Sequence, residues 1–491
     1  MIPAEPRVQD GLERRARENG DHPCLIEGEE TLSYAALDAL AERFARLLRE
    51  RGVRPGDRVV LLLGNSRRYA AALHGILKAG AVAVPLNPAA GSAAWREAAD
   101  RCAPVLVVTE SRLSPAALAE RLPVLVLDEV ADLDAFPPDP RPCEAAGDDP
   151  TVLLFTSGST GVPKGVVLTH RNVVANTLGV LDYLRLTPED RGLAVLPFHY
   201  VYGQSVLLTH LWAGAALALE SRAAYPQVVL REMARLGITG LSGVPSTFLS
   251  LLQKGDFEDP GTAGLRPRYL TCAGGHLPEP WARRLAARFP GARIFLMYGA
   301  TEAAGRISYL PPERLADKPG AIGVPIRGVE MRVARGGRPA GPGEEGEIEA
   351  RGETFSPGYW PLAGPGDRLL QDGWYRTGDL GYRDEEGFFF LTGRASDLIK
   401  IAGHRVSGAE IERALHETGM VHECAVTGRP DEELGERAEA WVVPARPGVT
   451  PEAIQAALAA RLPAWKRPSR IHLADSLAKS DSGKILKSAL R

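Results

Sequence analysis

Two short apolar runs, TVLLF at 151–155 and VVLT at 166–169, flank the string Thr156-Ser157-Gly158-Ser159-Thr160-Gly161-Val162-Pro163-Lys164-Gly165. Runs rich in β-branched and large apolar residues read as strands, so the string is a loop between two of them. Glycines let the backbone bring its N–H groups close to an anion, the hydroxyls add donors, and Lys164 adds a positive charge. The loop therefore suits a polyphosphate. A flexible Gly/Ser linker is the plainer reading, but linkers lack the Pro163-Lys164-Gly165 ending and seldom join apolar strands. The P-loop pattern GxxxxGK[ST] is absent, which disfavours a mononucleotide kinase or GTPase.

Around this loop the chain alternates helix-period and strand-period segments. A helix is expected from Tyr34 to Arg51, followed by the apolar run 58–64, and later a helix from Asn172 and strands at LAVLP, ITGLSG, YLTC and RIFLMY. This is α/β grammar, most simply a parallel sheet with helices on both faces. After about Gly320 the pattern turns to β-rich runs broken by Gly, Pro and Asp, which predicts a β-rich subdomain over about 320–394. The last segment, from about Arg394–Asp397, reads as a small domain with strand LIKIA, helix SGAEIERALHETG and strands VHECAVTG and AEAWVVP. With 491 residues, two or more domains are expected.

Composition excludes some functions. The 58 basic and 61 acidic residues give a net charge of -3 and no basic stripe for nucleic acid. The five scattered cysteines, Cys24, Cys102, Cys143, Cys272 and Cys424, suit reduced thiols and a cytoplasmic protein. No run of about 18 apolar residues predicts a membrane span.

Four further strings follow the loop in order. Tyr298-Gly299-Ala300-Thr301-Glu302-Ala303 follows an expected strand, where the carboxyl end of a parallel sheet meets its ligand. Tyr375-Arg376-Thr377-Gly378-Asp379-Leu380 would by itself be read as a β-turn. Gly393-Arg394-Ala395-Ser396-Asp397 leads into Leu398–Arg405, and Lys479-Ser480-Asp481-Ser482-Gly483-Lys484-Ile485-Leu486 closes the chain, where a lysine is usually only solvated charge. Occurring together and in this order, the strings resemble the motifs of the adenylate-forming superfamily of acyl-CoA synthetases, peptide-synthetase adenylation domains and luciferases. The resemblance runs from residue 156 to 484 and departs from the usual pattern at Ala478, where family members generally have proline.

The resemblance implies a large N-terminal domain (1–394) of stacked, helix-covered sheets plus the β-rich subdomain, followed by a small mobile α+β C-terminal domain (395–491). It implies that Thr156, Ser157, Gly158, Ser159, Thr160, Gly161 and Lys164 hold the phosphates of ATP, that Tyr298 stacks on adenine beside Gly299, Gly275 and His276, and that Thr301 bonds the α-phosphate. Glu302 would hold Mg²⁺, which prefers carboxylate and phosphate oxygens. Asp379 would accept hydrogen bonds from the ribose hydroxyls, with Arg394 alongside. Asp397 matches the interdomain hinge, Gly403 the thiol tunnel, Arg405 a phosphate-contacting arginine, and Lys484 the catalytic lysine.

The same resemblance describes the reaction. A carboxylate resists attack because its leaving group would be oxide; exchanging that oxygen for AMP makes acyl transfer feasible. In-line attack on the α-phosphorus calls for positioning and charge neutralisation more than for a general base. The C-terminal domain would then rotate about Asp397, replacing Lys484 by the tunnel at Gly403.

The substrate is read from Leu196–Gly203. His199 matches the residue that gates the acyl pocket, at a position where peptide-synthetase domains usually carry an aspartate for the substrate ammonium; an α-amino acid is therefore disfavoured and a fatty or aryl acid expected. Gly203, Gly243 and Gly274 would line the pocket. Val206, Leu207, Leu208 and Leu211 fit core packing better than an acyl chain. About twenty residues between GEIEARGE and YRTGDL, an ordinary loop-and-strand distance, leave no room for the extra module typical of fatty acyl-AMP ligases, which favours completion to a thioester. CoA is the default thiol and the phosphopantetheine of a carrier protein the alternative; a non-catalytic acyl-AMP-binding protein conflicts with the intact Thr160, Lys164, Glu302, Asp379 and Lys484.

Overall fold

The computed structural model describes residues 6–113, 116–129, 137–138, 141, 143–157, 163–362, 369–401, 404–479 and 485–490, without the side chains of Ala116, Ala117, Ser157, Pro163, Arg405 and Ser488. Within these residues local rules explain the elements. Helix Tyr34–Glu50 buries Leu37, Ala41, Phe44 and Leu48 at helical spacing, and Ser33 caps it by accepting from the Ala36 N–H. Helix His170–Leu184 opens with a reciprocal capping box between Thr169 and Asn172.

Three sheets are formed among the described residues. In the first, Val124–Val126, Leu106–Thr109, Arg58–Leu62, Val82–Pro85 and Pro150–Ser157 run parallel, and Pro163–Thr169 and Gly358–Trp360 extend the edge antiparallel. The largest sheet carries the parallel strands Arg191–Ala194, Gly240–Gly243, Tyr269–Cys272 and Arg293–Tyr298. It continues antiparallel through Ser308–Leu310 and Ala321–Pro325 into the strands Phe389–Arg394, Trp374–Arg383 and Gly346–Gly352. From Leu398 onward a third, five-stranded sheet has its own core around Ile399, Ile411, Leu415, Val442 and Ile454.

One apolar cluster joins the first two sheets through helices His170–Leu184 and Val201–Ala213, with Leu154 and Val166 on one side and Phe295 and Ile307 on the other. A helix pressed between two sheets is covered on every side, and residues 202–213 are all buried. Leu207 and Leu211 are 0% exposed, so these side chains are core, each contributing about 2 kcal/mol of burial. Stacked, helix-covered sheets are thus the architecture of the large domain.

One expectation is corrected. The runs at 151–155 and 166–169 do not join the later strands in a parallel series: Pro150–Ser157 and Pro163–Thr169 pair antiparallel, with Phe155 opposite Gly165, and they belong to the other sheet. Parallel neighbours need a crossover of about a dozen or more residues, and the loop between Ser157 and Pro163 is far shorter. The five cysteines are free, and no helix among the described residues is long and apolar enough to cross a membrane.

Candidate active site

Three residues far apart in sequence meet at one carboxylate. Asp379, 6% exposed, accepts from the Tyr298 hydroxyl at 2.5 Å and from Arg394 Nε at 2.6 Å. A bulge aims it: between the pairs Glu349↔Arg376 and Glu347↔Leu380 the strand Trp374–Arg383 advances two residues too many. Thr377 fixes the bulge by donating to the Ile348 carbonyl (2.7 Å) and accepting from the Asp379 N–H (3.0 Å). Arg394 is the direct cross-strand partner of Asp379. Desolvation, with the Asp379 charge second, holds the Tyr298 phenol far above its usual pKa, so it remains a donor. Burial opposes the Arg394 charge, but Asp379 outweighs it and the guanidinium is held above its ordinary value.

Beside this cluster lies a second one. The strand ending at Tyr298 turns through Gly299 and Ala300 into the 3-10 turn Thr301–Ala303, then doubles back as Ser308–Leu310. Gly299 is dictated by packing: a Cβ there would stand 2.1 Å from the Gly305 carbonyl oxygen. Asn176 clamps the turn, its amide donating to the Ala303 and Arg306 carbonyls at 3.0 and 2.9 Å. Glu302 Oε1 accepts from the Tyr359 hydroxyl at 2.8 Å, and Lys164 Nζ lies 5.1 Å from the centre of the Tyr359 ring. Tyr359 belongs to the strand Gly358–Trp360, held against Pro163–Thr169 by main-chain pairing and by Ser356 Oγ donating to the Val167 carbonyl. The structure thus brings the Lys164 end of the glycine loop to Glu302. Thr156 Oγ1 closes the base of the loop on the Lys164 carbonyl at 3.4 Å. Burial, followed by Glu302, raises the Tyr359 pKa and leaves the hydroxyl protonated. Tyr375, between the clusters, is likewise raised by burial and then by Glu302, Tyr359 and Asp379.

Gly203 and His199 begin the helix side of the site. A Cβ on Gly203 would fall 2.1 Å from the Pro197 carbonyl oxygen, so only glycine lets Val201–Ala213 start this close to the 196–197 turn. The half-buried His199 ring lies 4.4 Å from that of Tyr200. Gly243 ends its strand in the larger sheet, and Gly274, Gly275 and His276 follow the neighbouring strand Tyr269–Cys272 as exposed residues. On the small lobe, Asp397 ends the 3-10 turn Ala395–Asp397 and lies 3.6 Å from Lys487 Nζ. Contacts that tie this lobe to the large one include Ser407 Oγ to the Thr392 carbonyl (2.7 Å), Gln253 to His422 (2.9 Å) and the edge-on rings of Trp281 and His422. Gly158, Ser159, Thr160, Gly161, Gly403 and Lys484, and the side chains of Ser157 and Arg405, lie outside the described residues. Lys479 and Ile485, on either side of residues 480–484, form an antiparallel bridge.

The donor set fits a phosphate-bound magnesium ion. No group of three or more His, Cys, Asp or Glu is gathered among the described residues, and Mg²⁺ is commonly held by one or two carboxylates together with substrate phosphates and water. Glu302, a single oriented carboxylate near Lys164, matches that pattern. Tyr359, Asn176 and Arg306 were not among the residues expected from sequence. Tyr359 follows a Ser-Pro-Gly turn signal, but its partner strand lies nearly 200 residues earlier.

A family model described as AMP-binding enzyme matches residues 12–360, and one described as AMP-binding enzyme C-terminal domain matches residues 410–484. The feruloyl-CoA synthase of an Amycolatopsis species is 36% identical over 97% of this chain and 97% of its own. The sulfoacetate–CoA ligase of Cupriavidus necator is 33% identical over 98% and 97%. The structure of o-succinylbenzoate CoA synthetase from Bacillus subtilis with its acyl-adenylate intermediate superposes with a TM-score of 0.88 at 28% identity, covering 100% of this chain and 99% of that one. The chain belongs to the AMP-binding enzyme family. Its activity is that of an AMP-forming acid–thiol ligase.

Proposed function

We propose that the enzyme activates a fatty or aryl carboxylic acid, not an α-amino acid, with Mg·ATP and transfers the acyl group to CoA in the cytoplasm. The observation that carries this reading is the convergence of Tyr298 and Arg394 on Asp379 beside the Glu302–Tyr359–Lys164 cluster. Asp379 holds the ribose, Tyr298 and His276 border the base, and Thr301 and the 156–161 loop hold the phosphates. Glu302 would hold Mg²⁺, which when bound neutralises phosphate charge. The acid enters past His199, and its carboxylate oxygen attacks the α-phosphorus in line as pyrophosphate departs. Lys484 stabilises the charge that develops: a cation about 4 Å away is worth about 4 kcal/mol at an effective dielectric near 20, or roughly a thousandfold in rate.

The unit from residue 395 onward then rotates about Asp397, and the thiol reaches the acyl carbon past Gly403, with Arg405 on a phosphate. Side-chain hydrogen bonds such as Gln253 to His422 and Ser407 to the Thr392 carbonyl, which can break and re-form, are compatible with such motion. The CoA-linked names of the relatives support CoA as acceptor; a carrier protein's phosphopantetheine presents the same reactive end. A panel of acids assayed for pyrophosphate release, then for AMP release with CoA or holo carrier protein, tests the proposal. Acid-dependent pyrophosphate with CoA-dependent AMP is expected. Release only with carrier protein would replace the acceptor, and none with any acid would overturn the reading.

A further inference from the structure

Arg306 lies four residues beyond Glu302, at the end of the same turn, and is 3% exposed. Its Nη1 donates to the carbonyl of neighbouring Gly305 at 2.7 Å, and its guanidinium carbon stands 4.0 Å from the centre of the Tyr202 ring. The Tyr183 hydroxyl, which donates to Met297 Sδ at 2.9 Å, is also within its reach. Nε is buried without a hydrogen-bond partner, and among the described residues no carboxylate pairs with this guanidinium. A π-face, a backbone carbonyl and a phenol do not replace a counter-ion: buried arginines are ordinarily paired with an anion because the desolvated charge is otherwise strongly unfavourable.

The location says what should provide that anion. Tyr202, under the guanidinium, donates to Thr271 at 2.9 Å, and Thr271 Oγ1 donates to Ser242 at 2.8 Å. Thr271 and Ser242 lie on the two strands that run into Gly243 and Gly274, the walls proposed for the acid, and Tyr202 adjoins Gly203 on the third wall. The Arg306 guanidinium is thus stacked on the residue that links the three walls proposed for the acid.

We propose, on the footing of the ligase reading above, that Arg306 determines substrate choice and that the acid carries a second anionic group, a carboxylate or sulfonate, remote from the carboxylate that is adenylated. A planar guanidinium matches two anionic oxygens at once, so it fixes the far end of the acid while the near end is placed for attack.

The experiment compares acids matched except at the far end: cinnamate, 4-hydroxycinnamate and 4-carboxycinnamate, and propionate against 3-sulfopropionate, each by pyrophosphate release. The native enzyme should favour the doubly anionic member of at least one pair by about tenfold or more in kcat/KM. Arg306→Leu should collapse that preference through KM, Arg306→Gln should do the same with less change of shape, and Arg306→Lys should restore part of it. Thermal melting with ATP checks that each variant is folded. Preference for the neutral or phenolic acid throughout, or a ratio unchanged in folded Leu and Gln variants, overturns the proposal while leaving the ligase reading intact. Pyrophosphate release with no acid would overturn both.

Discussion

Asp379→Asn removes one charge from the point where Tyr298 and Arg394 converge. The carboxylate is 6% exposed and already accepts from Tyr298 and Arg394. An ionised carboxylate has about four acceptor positions, so about two remain for the ribose hydroxyls. Hydrogen bonds to a charged group are worth about 1.5–3 kcal/mol each. Asparagine keeps one acceptor oxygen, turns the other end into a donor and removes the charge, so about 2–4 kcal/mol of nucleotide binding should be lost. That corresponds to roughly 30- to 1000-fold in kcat/KM for ATP. The fold should lose less, because Arg394 is 58% exposed and water can solvate it when the Asp379 charge is removed. Acid-dependent ATP–pyrophosphate exchange at varied ATP, run beside urea unfolding of the same preparation, separates the two effects. A folded variant whose KM for ATP moves by less than about threefold, or an activity loss that only follows the stability loss, would refute the assignment.

Other outcomes follow from the same geometry. Gly299→Ala places a methyl against the Gly305 carbonyl and should destabilise the protein by about 1–3 kcal/mol while displacing Glu302, read as a lower melting temperature with a weakened response to Mg·ATP. Lys484→Ala should abolish acyl-AMP formation yet still convert supplied acyl-AMP and CoA to thioester; equal loss of both half-reactions would contradict alternation. Stability should also fall with acid. Burial holds the imidazoles of His74, His170 and His210 down at about 4, against 6.5 for a free histidine. Between pH 6.5 and 4 the unfolded chain therefore binds protons that the fold does not, and stability declines through that window by up to roughly 3 kcal/mol per residue. His170 Nδ1 accepts from the Val8 N–H, so His170→Phe should flatten part of the decline at the expense of that bond; an unchanged pH profile of unfolding would contradict it.

Much of the site is legible in the sequence because its members occur in short strings at strand ends: Tyr298 and Glu302 at the end of a parallel strand, Asp379 in a bulge marked by Thr-Gly. Helix Tyr34–Glu50 is legible from its apolar period and the serine before it. What escapes is what depends on distant pairing or on burial. Tyr359 acquires its place from a strand pairing that no local pattern encodes, and Arg306 looks like one more surface charge until the fold encloses it. The antiparallel pairing of Pro150–Ser157 with Pro163–Thr169 was readable from the short distance between them in sequence, yet the similarity of these strands to the later parallel ones obscured it.

Labelling the carboxylate oxygens of the activated acid with ¹⁸O tests the adenylation chemistry most directly. One labelled oxygen should appear in AMP, by way of the bond formed at the α-phosphorus, with none in pyrophosphate. Label in inorganic phosphate, with ADP as the nucleotide product, would mean that the acid attacks the γ-phosphorus and that the Asp379 and Glu302 clusters do not place ATP for adenylation.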